Sequence, residues 1–366
     1  MPVTSYASFP PLVPGDRVAV VAPASAPEAQ RVSRGLDILR RWDLVPVVLP
    51  SVTARPALGH LAGSDTARAR DLVTAWRDDR VRAIWCARGG YGAQRLLDLL
   101  PARLFAQGGP KPIIGFSDVT PLLHRALQGS GMQMVHGPAI VNLGEAGDET
   151  LEHLHTLLTE PFRPRTLMHS LRPWREGRPE GTLLGGNVAL LAASIGTGDL
   201  PSAEGAIVLL EDVGQSAWVL DRGLTQLVRA GWLRRAAGIV LGDFSMDDDP
   251  AAVEAVLRDR LLPLGVPVWA GARIGHERVN LAVPLGGHAR IIEGYLRLAC
   301  PILTNREPSV CRWAGTVPAS RLGVRDVVEL APDQGQRHPG PDEGEPEGRR
   351  DTPLRGDEAA EELADQ

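Results

Sequence analysis

The sequence is poor in cysteine and lacks long apolar runs, and both absences limit where the protein can work. Its three cysteines, Cys86, Cys300 and Cys311, are scattered and have no metal-ligand spacing. This pattern argues against a disulfide framework or a zinc site and fits a reducing compartment. No segment approaches the roughly 20 apolar residues of a membrane span. The segment Met1 to Pro14 has no Lys, Arg or long apolar stretch and predicts no secretory signal. We therefore expect a cytoplasmic protein that does not bind a membrane.

The chain also lacks a basic patch of the kind that binds nucleic acid. Residues 333–366 hold 11 acidic and 4 basic residues, a net charge of −7, so the whole-chain charge of −5 leaves about +2 for the remainder. A near-neutral body does not predict a nucleic-acid partner. The acidic segment has no Phe, Trp or Tyr and many Gly and Pro residues. It is predicted to be a disordered tail, either a solvated appendage or an interaction segment.

What the chain does contain is an alternation of strand-like and helix-like segments. Its 366 residues, 43% hydrophobic and 23% charged, are enough for two soluble domains. In the first half, stretches with helical spacing separate four apolar runs that predict strands, at 17–22, 45–49, 83–87 and 111–115. This order predicts an α/β fold in which helices cover both faces of a parallel sheet. Ligands of such sheets bind at the carboxyl ends of the strands.

The second half predicts a smaller, mixed α/β domain. Strands are expected at 206–210, 238–241 and 266–270, and 281–299 is expected to form a hairpin around Gly286-Gly287. The segment before residue 181 is rich in Pro and Arg, which is typical of a linker. We predict a first domain at 1–165, a linker at 166–180, a second domain at 181–332 and the tail at 333–366.

The tetrapeptide Gly115-Phe116-Ser117-Asp118 is the most informative feature of the first domain. It lies between a predicted strand and a predicted helix. At such a turn a serine hydroxyl is exposed and the next amide can stabilise an oxyanion. Val119 replaces the second glycine of a G-x-S-x-G elbow, and serines also begin helices as N-caps. Ser117 is therefore a candidate nucleophile, with helix capping as the alternative.

Three further segments could complete a serine-peptidase site. The run Arg88-Gly89-Gly90-Tyr91-Gly92 follows a strand, and its glycines let amides approach a ligand, although a plain tight turn is the alternative. Glu211 closes a buried strand beside Asp212, so the choice between these two acids stays open. His276 lies in a loop that begins with glycine, and His136 is the competing base. Along the chain the order is serine, acid, histidine, which is one known order for a nucleophile, an orienting acid and a base.

The sequence predicts neither a metal nor a cofactor. No group of His, Asp or Glu residues has convincing metal-ligand spacing. No dinucleotide-binding fingerprint follows the first predicted strand, which disfavours a redox or nucleotide-binding role.

The sequence resembles the LD-carboxypeptidase family of serine peptidases, which also holds the microcin C self-immunity peptidases. Seven segments match in the family's order between residues 12 and 295; they are 15–25, 88–92, 115–118, 136–138, 184–187, 211–214, and Gly275-His276 with Asn280, Pro284 and Gly286. The resemblance implies a flavodoxin-like, class I amidotransferase-like first domain that carries the nucleophile Ser117. A smaller second domain would supply Glu211 and His276.

The resemblance also implies a reaction. A Ser-His-Glu triad would hydrolyse, through an acyl-enzyme, the amide between an L-centre and a terminal D-amino acid in murein peptides. The oxyanion donors map to the amides of Asp118 and Gly90. Family members act in peptidoglycan recycling, need no metal and are commonly homodimers. Arg88 is a candidate for the substrate carboxylate, and the other predicted substrate-binding residues are Tyr91, Asn187 and Trp218.

Two other functions stay open from the sequence. The same triad could cleave a microcin-type acyl-aminoacyl amide, or the fold could serve a non-catalytic ligand-binding protein. Gln215 and Trp218 stand where the family usually has an acid and a Tyr, and Gly223 replaces a larger apolar residue. The groove beside the triad therefore departs from the family pattern, which affects the choice of substrate.

Overall fold

Fourteen strands and nine α-helices make up the part of the chain that the structure, a computed structural model, describes, residues 6–245 and 249–299. The strands are β1 Arg17–Val21, β2 Val45–Val48, β3 Val81–Cys86, β4 Ile113–Gly115, β5 Met134–His136, β6 Arg165–Met168, β7 Arg172–Arg175, β8 Glu180–Asn187, β9 Ile207–Val213, β10 Gly238–Ser245, β11 Val268–Ala270, β12 Val283–Leu285, β13 His288–Ile292 and β14 Tyr295–Leu298. The α-helices are α1 Ala29–Arg41, α2 Asp65–Arg77, α3 Gln94–Leu97, α4 Thr120–Ser130, α5 Ile140–Leu143, α6 Asp148–Thr159, α7 Val188–Ala193, α8 Ala217–Arg229 and α9 Pro250–Leu261. Short 3₁₀ helices occupy Pro50–Val52, Ser117–Val119 and Leu262–Leu264.

The first sheet contains the four parallel strands that the sequence predicts, and β5 and β12, which it does not predict there. Its six strands run in the order β12-β5-β4-β3-β1-β2, and β1 to β5 pair in parallel. Its central strands are apolar and almost fully buried, as expected when both faces of a sheet are covered. The turns after β1, β3 and β4 meet at the carboxyl edge, so the segments that follow these strands come together there.

The second sheet has both parallel and antiparallel strand pairs and, with its helices, forms the second α/β region that the sequence predicts. Its eight strands run in the order β6-β14-β13-β8-β9-β10-β11-β7. The central strands β8 to β11 are parallel, whereas β7 pairs antiparallel with β11, and β13, β14 and β6 form an antiparallel extension. The carboxyl ends of β8, β9 and β10 thus lie side by side and carry Asn187, Glu211 and Asp243.

The segment predicted as a linker contains two strands. β6 and β7 lie in or next to residues 166–180 and form the two edges of the second sheet. Their Pro and Arg residues resemble a linker in composition. Proline and charged residues are also tolerated on edge strands, because one side of the backbone there needs no ladder partner.

The hairpin predicted around Gly286-Gly287 is wrong. β12 pairs with β5 in the first sheet, whereas β13 pairs with β8 in the second, so this turn carries the chain from one sheet to the other. A methyl group added at Gly286 would lie 2.6 Å from a Leu127 methyl, so close packing requires this glycine. The hairpin joins β13 to β14 instead, through the turn that contains Gly294.

Several expectations concern residues outside the described ranges. They are Cys300, Cys311, residues 300–332 of the predicted second domain, and the predicted tail. Cys86 lies within the described ranges and is a free, buried thiol. No helix within residues 6–245 or 249–299 has the length and apolar character needed to cross a bilayer.

Candidate active site

Ser117 occupies a strained turn at the carboxyl edge of the first sheet. It follows β4 after one residue and begins the 3₁₀ helix that leads into α4, with a φ of +64°. Such an angle is uncommon for a residue other than glycine and costs energy. The N-cap of α4 is Val119 rather than Ser117. The helix-capping alternative therefore does not describe this serine, and the turn has the strain of a nucleophile turn.

The second sheet packs directly on the serine turn. Thr120 donates its hydroxyl to the Ser117 carbonyl at 2.7 Å and accepts the Asn187 backbone N–H at 3.3 Å. A methyl group at Gly186 would lie 2.8 Å from the Thr120 side chain. The end of β8 thus lies against the backbone that carries Ser117, and the strained turn is held by contacts from both sheets.

The glycine turn after β3 lies beside the Ser117 hydroxyl. A methyl group added at Gly89 would lie 3.1 Å from Ser117 Cβ and 3.3 Å from its Oγ. Ser25, from the turn after β1, donates its backbone N–H to the Gly89 carbonyl at 3.2 Å and accepts the Tyr91 N–H on its hydroxyl at 3.1 Å. Gly90 has a φ of +102° and faces Ser25. The missing side chain at Gly89 leaves the Ser117 hydroxyl accessible.

Two buried charged side chains fix these turns. Asp118 accepts the Ala93 N–H on Oδ2 at 2.8 Å, and burial raises the pKa of its carboxyl. Arg68, on α2, donates to the Pro23 carbonyl and, at 3.0 Å, to the Gly92 carbonyl. A single guanidinium thus joins the turns after β1 and β3. Arg68 is buried, so it supports the turns of the site rather than contacting a substrate.

Glu211 and His276 form a hydrogen-bonded pair next to the serine turn. His276 Nδ1 lies 2.8 Å from Glu211 Oε2; the Glu211 side chain is fully buried and that of His276 is 17% exposed. The His276 ring also lies 4.7 Å, between centroids, from the ring of Phe116, the residue before Ser117. The structure therefore brings together three elements that are far apart in the sequence: the end of β4, the end of β9 and the loop after β11.

Glycine lets the histidine loop approach Glu211. Gly275 has a φ of +129°, and a methyl group there would lie 3.1 Å from Asp243 Cβ and 3.3 Å from Glu211 Oε2. Asn280 accepts the Gly275 N–H on Oδ1 at 3.3 Å. The motif residues Gly275 and Asn280 thus fix the loop that carries His276.

The structure distinguishes the two adjacent acids. Side chains alternate along a strand, and Asp212 binds away from His276, accepting the Asn187 side-chain N–H at 2.9 Å and the Ala189 N–H at 3.1 Å. Burial, with a smaller contribution from the charge of Glu211, raises the pKa of Asp212 to about 6. Glu211 is therefore the acid of the pair, and Asp212 joins β9 to the start of α7.

The competing base, His136, is buried behind the site. Neither ring nitrogen has a hydrogen-bond partner among the described residues, and its ring lies 6.0 Å from that of Phe116. Burial lowers the pKa of His136, an effect that the charge of Glu211 opposes. Of the two candidate bases, His276 is the one that contacts Glu211.

The four predicted substrate-binding residues differ in exposure. Tyr91 and Trp218 are exposed, and the Arg222 guanidinium lies 4.8 Å from the Trp218 ring centroid. Arg88 is exposed and donates to the Ala26 carbonyl at 3.1 Å, so it links the glycine turn to the turn after β1. Asn187 is buried, caps α7 through the Leu190 N–H and binds Asp212. These contacts favour a positioning role for Asn187.

Sequence reasoning missed Asp243 and Arg68. Asp243 lies near the end of β10 beside Glu211, and burial, followed by the charge of Glu277, raises its pKa to about 7. The position of an acid at the end of an apolar strand was a usable signal, because the same signal selected Glu211. An arginine at a buried position of α2, next to Ala69 and Leu72, was the signal for Arg68. Within the described ranges no three His, Cys, Asp or Glu residues are grouped to hold a metal ion.

Comparison with known proteins identifies the family. Residues 18–137 match the model of the LD-carboxypeptidase N-terminal domain, and residues 180–291 match that of the C-terminal domain. The chain belongs to the LD-carboxypeptidase family. The resemblance stated from the sequence motifs is thus confirmed, and with it the assignment as an enzyme of this family.

Relatives and solved structures agree with this assignment. The chain is 42% identical over 283 residues to a protein of Streptomyces coelicolor. The alignment covers 76% of this chain and 91% of the relative. It is 34% identical over 292 residues to the murein tetrapeptide carboxypeptidase of Pseudomonas aeruginosa, spanning 76% and 93%. A muramoyltetrapeptide carboxypeptidase from Oxalobacter formigenes matches with a TM-score of 0.66 and 28% identity, over 76% of this chain and 98% of that one.

An MccF-like protein from Bacillus anthracis has a similar fold. It matches with a TM-score of 0.74 and 22% identity, over 80% of this LD-carboxypeptidase and 99% of the other chain. At this identity the likeness shows the fold alone, and it confirms the expected arrangement of two α/β regions.

Proposed function

We propose that this enzyme is a serine carboxypeptidase that removes the terminal D-Ala from murein tetrapeptide during peptidoglycan recycling. The observation that carries the proposal is the bond between His276 and Glu211 beside the strained Ser117 turn. The similarity to the Pseudomonas murein tetrapeptide carboxypeptidase and the Oxalobacter muramoyltetrapeptide carboxypeptidase supports this substrate class.

The proposed reaction has an acyl-enzyme intermediate. As the Ser117 hydroxyl attacks the amide carbonyl, His276 Nε2 takes its proton and then gives it to the leaving amine of D-Ala. Water then attacks the acyl carbonyl while the same nitrogen takes its proton, and the imidazolium returns that proton to Ser117 Oγ as the ester bond breaks and the peptide acid leaves. Glu211 accepts a hydrogen bond from Nδ1–H, which keeps Nε2 free to act as a base and stabilises the imidazolium.

Backbone amides of the two adjoining turns would stabilise the oxyanion. We assign this role to the N–H groups of Asp118 and Gly90, with each donor contributing on the order of 3 kcal/mol to transition-state stabilisation. Arg88 and Tyr91, on the glycine turn, and Trp218, on α8, are the proposed contacts for the remainder of the substrate. Asn187 would act through its hold on Asp212 and α7.

The finer organisation of the molecule is also proposed. We assign residues 1–165 and 181–332 to two domains. In each, the proposed catalytic residues lie at the carboxyl edge of the sheet. A homodimer is proposed from the family resemblance. A cytoplasmic location is proposed because Cys86 is a free thiol and because the substrate arises in cell-wall recycling.

The experiment is mass spectrometry of L-Ala-γ-D-Glu-diaminopimelate-D-Ala incubated with wild type and with Ser117→Ala, with EDTA present throughout. We expect wild type alone to release one D-Ala. No release by wild type would contradict the proposal. In that event, labelling of Ser117 by a fluorophosphonate would indicate another amide as substrate, and no labelling would indicate a ligand-binding protein.

A further inference from the structure

A bulge in the second sheet brings a further acid, Asp243, to the acid–base pair. The pairing of β9 with β10 shifts register at this point, so that Gly242 and Asp243 together lie opposite the single residue Glu211. A methyl group added at Gly242 would lie 3.2 Å from Glu211 Cβ, so the two strands are in close contact here. Bulges of this kind are frequent next to active sites, where they redirect a side chain.

The end of β10 holds the His276 loop on both sides of the histidine. Asp243 donates its backbone N–H to the Ile274 carbonyl at 2.8 Å. The Glu277 backbone N–H faces the Asp243 carboxyl and lowers its pKa. Ser245 donates its hydroxyl to the Glu277 carboxylate. The residues two before and one after His276 are thus both bound to β10, and Asp243 takes part on each side.

The Asp243 carboxyl has a costly place and no task in the proposed reaction. Its Oδ2 is buried and has no partner in the part of the chain that the structure describes. Burial, then the charge of Glu277 and after it that of Glu211, raise the pKa of Asp243, whereas the charge of His276 lowers it. Because two charges affect each other reciprocally, an ionised Asp243 favours the protonated form of His276. Acids with these properties are typical of functional sites.

We propose that Asp243 is a positioning residue of the reaction, which holds the His276 loop and supplies a second negative charge for the imidazolium. The inference rests on the catalytic residues of the proposed function and not on its murein substrate. When Ser117 Oγ gives its proton to His276 Nε2, the ring becomes positive near two carboxylates. Glu211 binds Nδ1 directly, whereas Asp243 acts through the loop and through its charge. His136, on β5, also lies near His276, but burial lowers its pKa and keeps it neutral.

The pH dependence of fluorophosphonate labelling tests this role without a peptide substrate. Ser117 Oγ attacks phosphorus as fluoride leaves and His276 takes the serine proton, so the rate rises with pH as the imidazolium is deprotonated. Asp243→Asn keeps an oxygen that can accept the Glu277 N–H and removes the charge. The midpoint of its rate–pH profile should lie about 0.5 to 1 pH unit below that of wild type. Its plateau should be about 2- to 10-fold lower, because the base is weaker.

A second variant separates the charge of Asp243 from its hold on the loop. Asp243→Ala removes both, so its midpoint should shift as in Asp243→Asn and its plateau should be about 10-fold lower still, as a misplaced base implies. Asp37→Asn is the control, because it removes an exposed acid of α1 that pairs with Arg40. It should match wild type in both midpoint and plateau. Thermal melts at the same pH values show that each variant is folded.

The midpoint in Asp243→Asn decides the inference, because an acid with only a structural role would lower the plateau and leave the midpoint in place. An unchanged midpoint would therefore overturn it, and so would an absence of labelling in wild type. Release of D-Ala from the tetrapeptide keeps the two proposals apart. The expected shift without release supports the role of Asp243 and rejects the murein substrate. Release without the shift leaves the proposed function standing and rejects the role of Asp243.

Discussion

The serine turn and the acid–base pair are held in place by different means. Ser117 is positioned by a positive φ, by the Thr120 hydroxyl that donates to its carbonyl, and by the close approach of the glycine turn after β3. The Glu211–His276 pair depends on one 2.8 Å bond between side chains from two distant segments, with the acid fully buried. The nucleophile is therefore encoded largely in local sequence, whereas the pair exists only once the second sheet has folded. Substitutions in the serine turn and in the Glu211–His276 pair should consequently differ in how they affect activity and stability.

The largest effect should come from removing the nucleophile. Ser117→Ala removes the attacking oxygen and leaves the backbone turn in place, so kcat/KM for tetrapeptide cleavage should fall by about 10⁴- to 10⁶-fold. Tm should stay unchanged, because the Ser117 carbonyl still accepts the Thr120 hydroxyl. Release of D-Ala and a thermal melt check both parts, and retained activity would reject Ser117 as the nucleophile.

Glu211→Gln should have the next largest effect. The amide cannot stabilise an imidazolium, and it can donate to Nδ1 and favour the wrong tautomer, so kcat should fall by about 10³- to 10⁴-fold. Glu204→Gln is the matched control, since Glu204 lies in an exposed pair with Arg235 at 3.5 Å and should be silent. Steady-state kinetics of both variants decide this; equal activities would show that Glu211 does not orient His276.

Two glycine substitutions compare the histidine loop directly with the serine turn. Gly275→Ala forces a side chain into a φ of +129° and against Asp243, so we expect about 1 to 3 kcal/mol lower stability and about 100-fold lower activity. Gly89→Ala meets Ser117 Oγ at 3.3 Å without a positive φ. It should lower activity about 10-fold or more, as a misplaced reacting group does, and change stability little. Denaturant unfolding and kinetics measure both quantities, and a reversed order of stabilities would contradict this comparison.

The smallest expected effect is a pH dependence of stability. Burial and then the charge of Glu277 raise the pKa of Asp243 to about 7. Since this folded-state value lies above the ordinary one of 3.8, the stabilisation is full below about pH 4 and is lost as the pH rises through 7. Asp243→Asn has no proton to lose, so its free energy of unfolding relative to wild type should rise between pH 5 and pH 8. The rise should be about 1 to 2 kcal/mol after allowance for partial exposure.

Denaturant unfolding of both proteins at the two pH values measures this difference. Asp37→Asn is the control, because Asp37 forms only an exposed pair with Arg40 at 2.7 Å, and it should show no such rise. A difference between Asp243→Asn and wild type that stays constant with pH would show that Asp243 is already ionised at pH 5.

Local patterns were enough to predict β1 to β4 and the turns that follow them, but not β5 or the place of β12 in the first sheet. Apolar β-branched runs between helical stretches indicate parallel strands, and the serine and glycine turns follow two of them directly. The same reasoning failed at Gly286-Gly287, where the glycines serve close packing on Leu127 rather than a hairpin. A single sequence does not reveal which distant side chain a glycine makes room for.

The acid–base side shows the limit more clearly. Residue patterns left Glu211 and Asp212 as equal candidates and His136 as a competitor to His276. The bond of His276 to Glu211, the bonds of Asp212 to the start of α7 and the burial of His136 in the first sheet separate them, and all three depend on tertiary contacts. Asp243 ends an apolar strand as Glu211 does, but only the pairing of β9 with β10 reveals that the two acids lie together.

The rate at which a fluorophosphonate labels wild type and His276→Ala tests the central claim most directly, with the labelled residue located by peptide mass spectrometry. If the serine turn and the acid–base pair form one catalytic unit, only Ser117 is labelled, and the rate falls by about 10³-fold or more in His276→Ala. An equal rate in both proteins, or a label on another residue, would contradict the account.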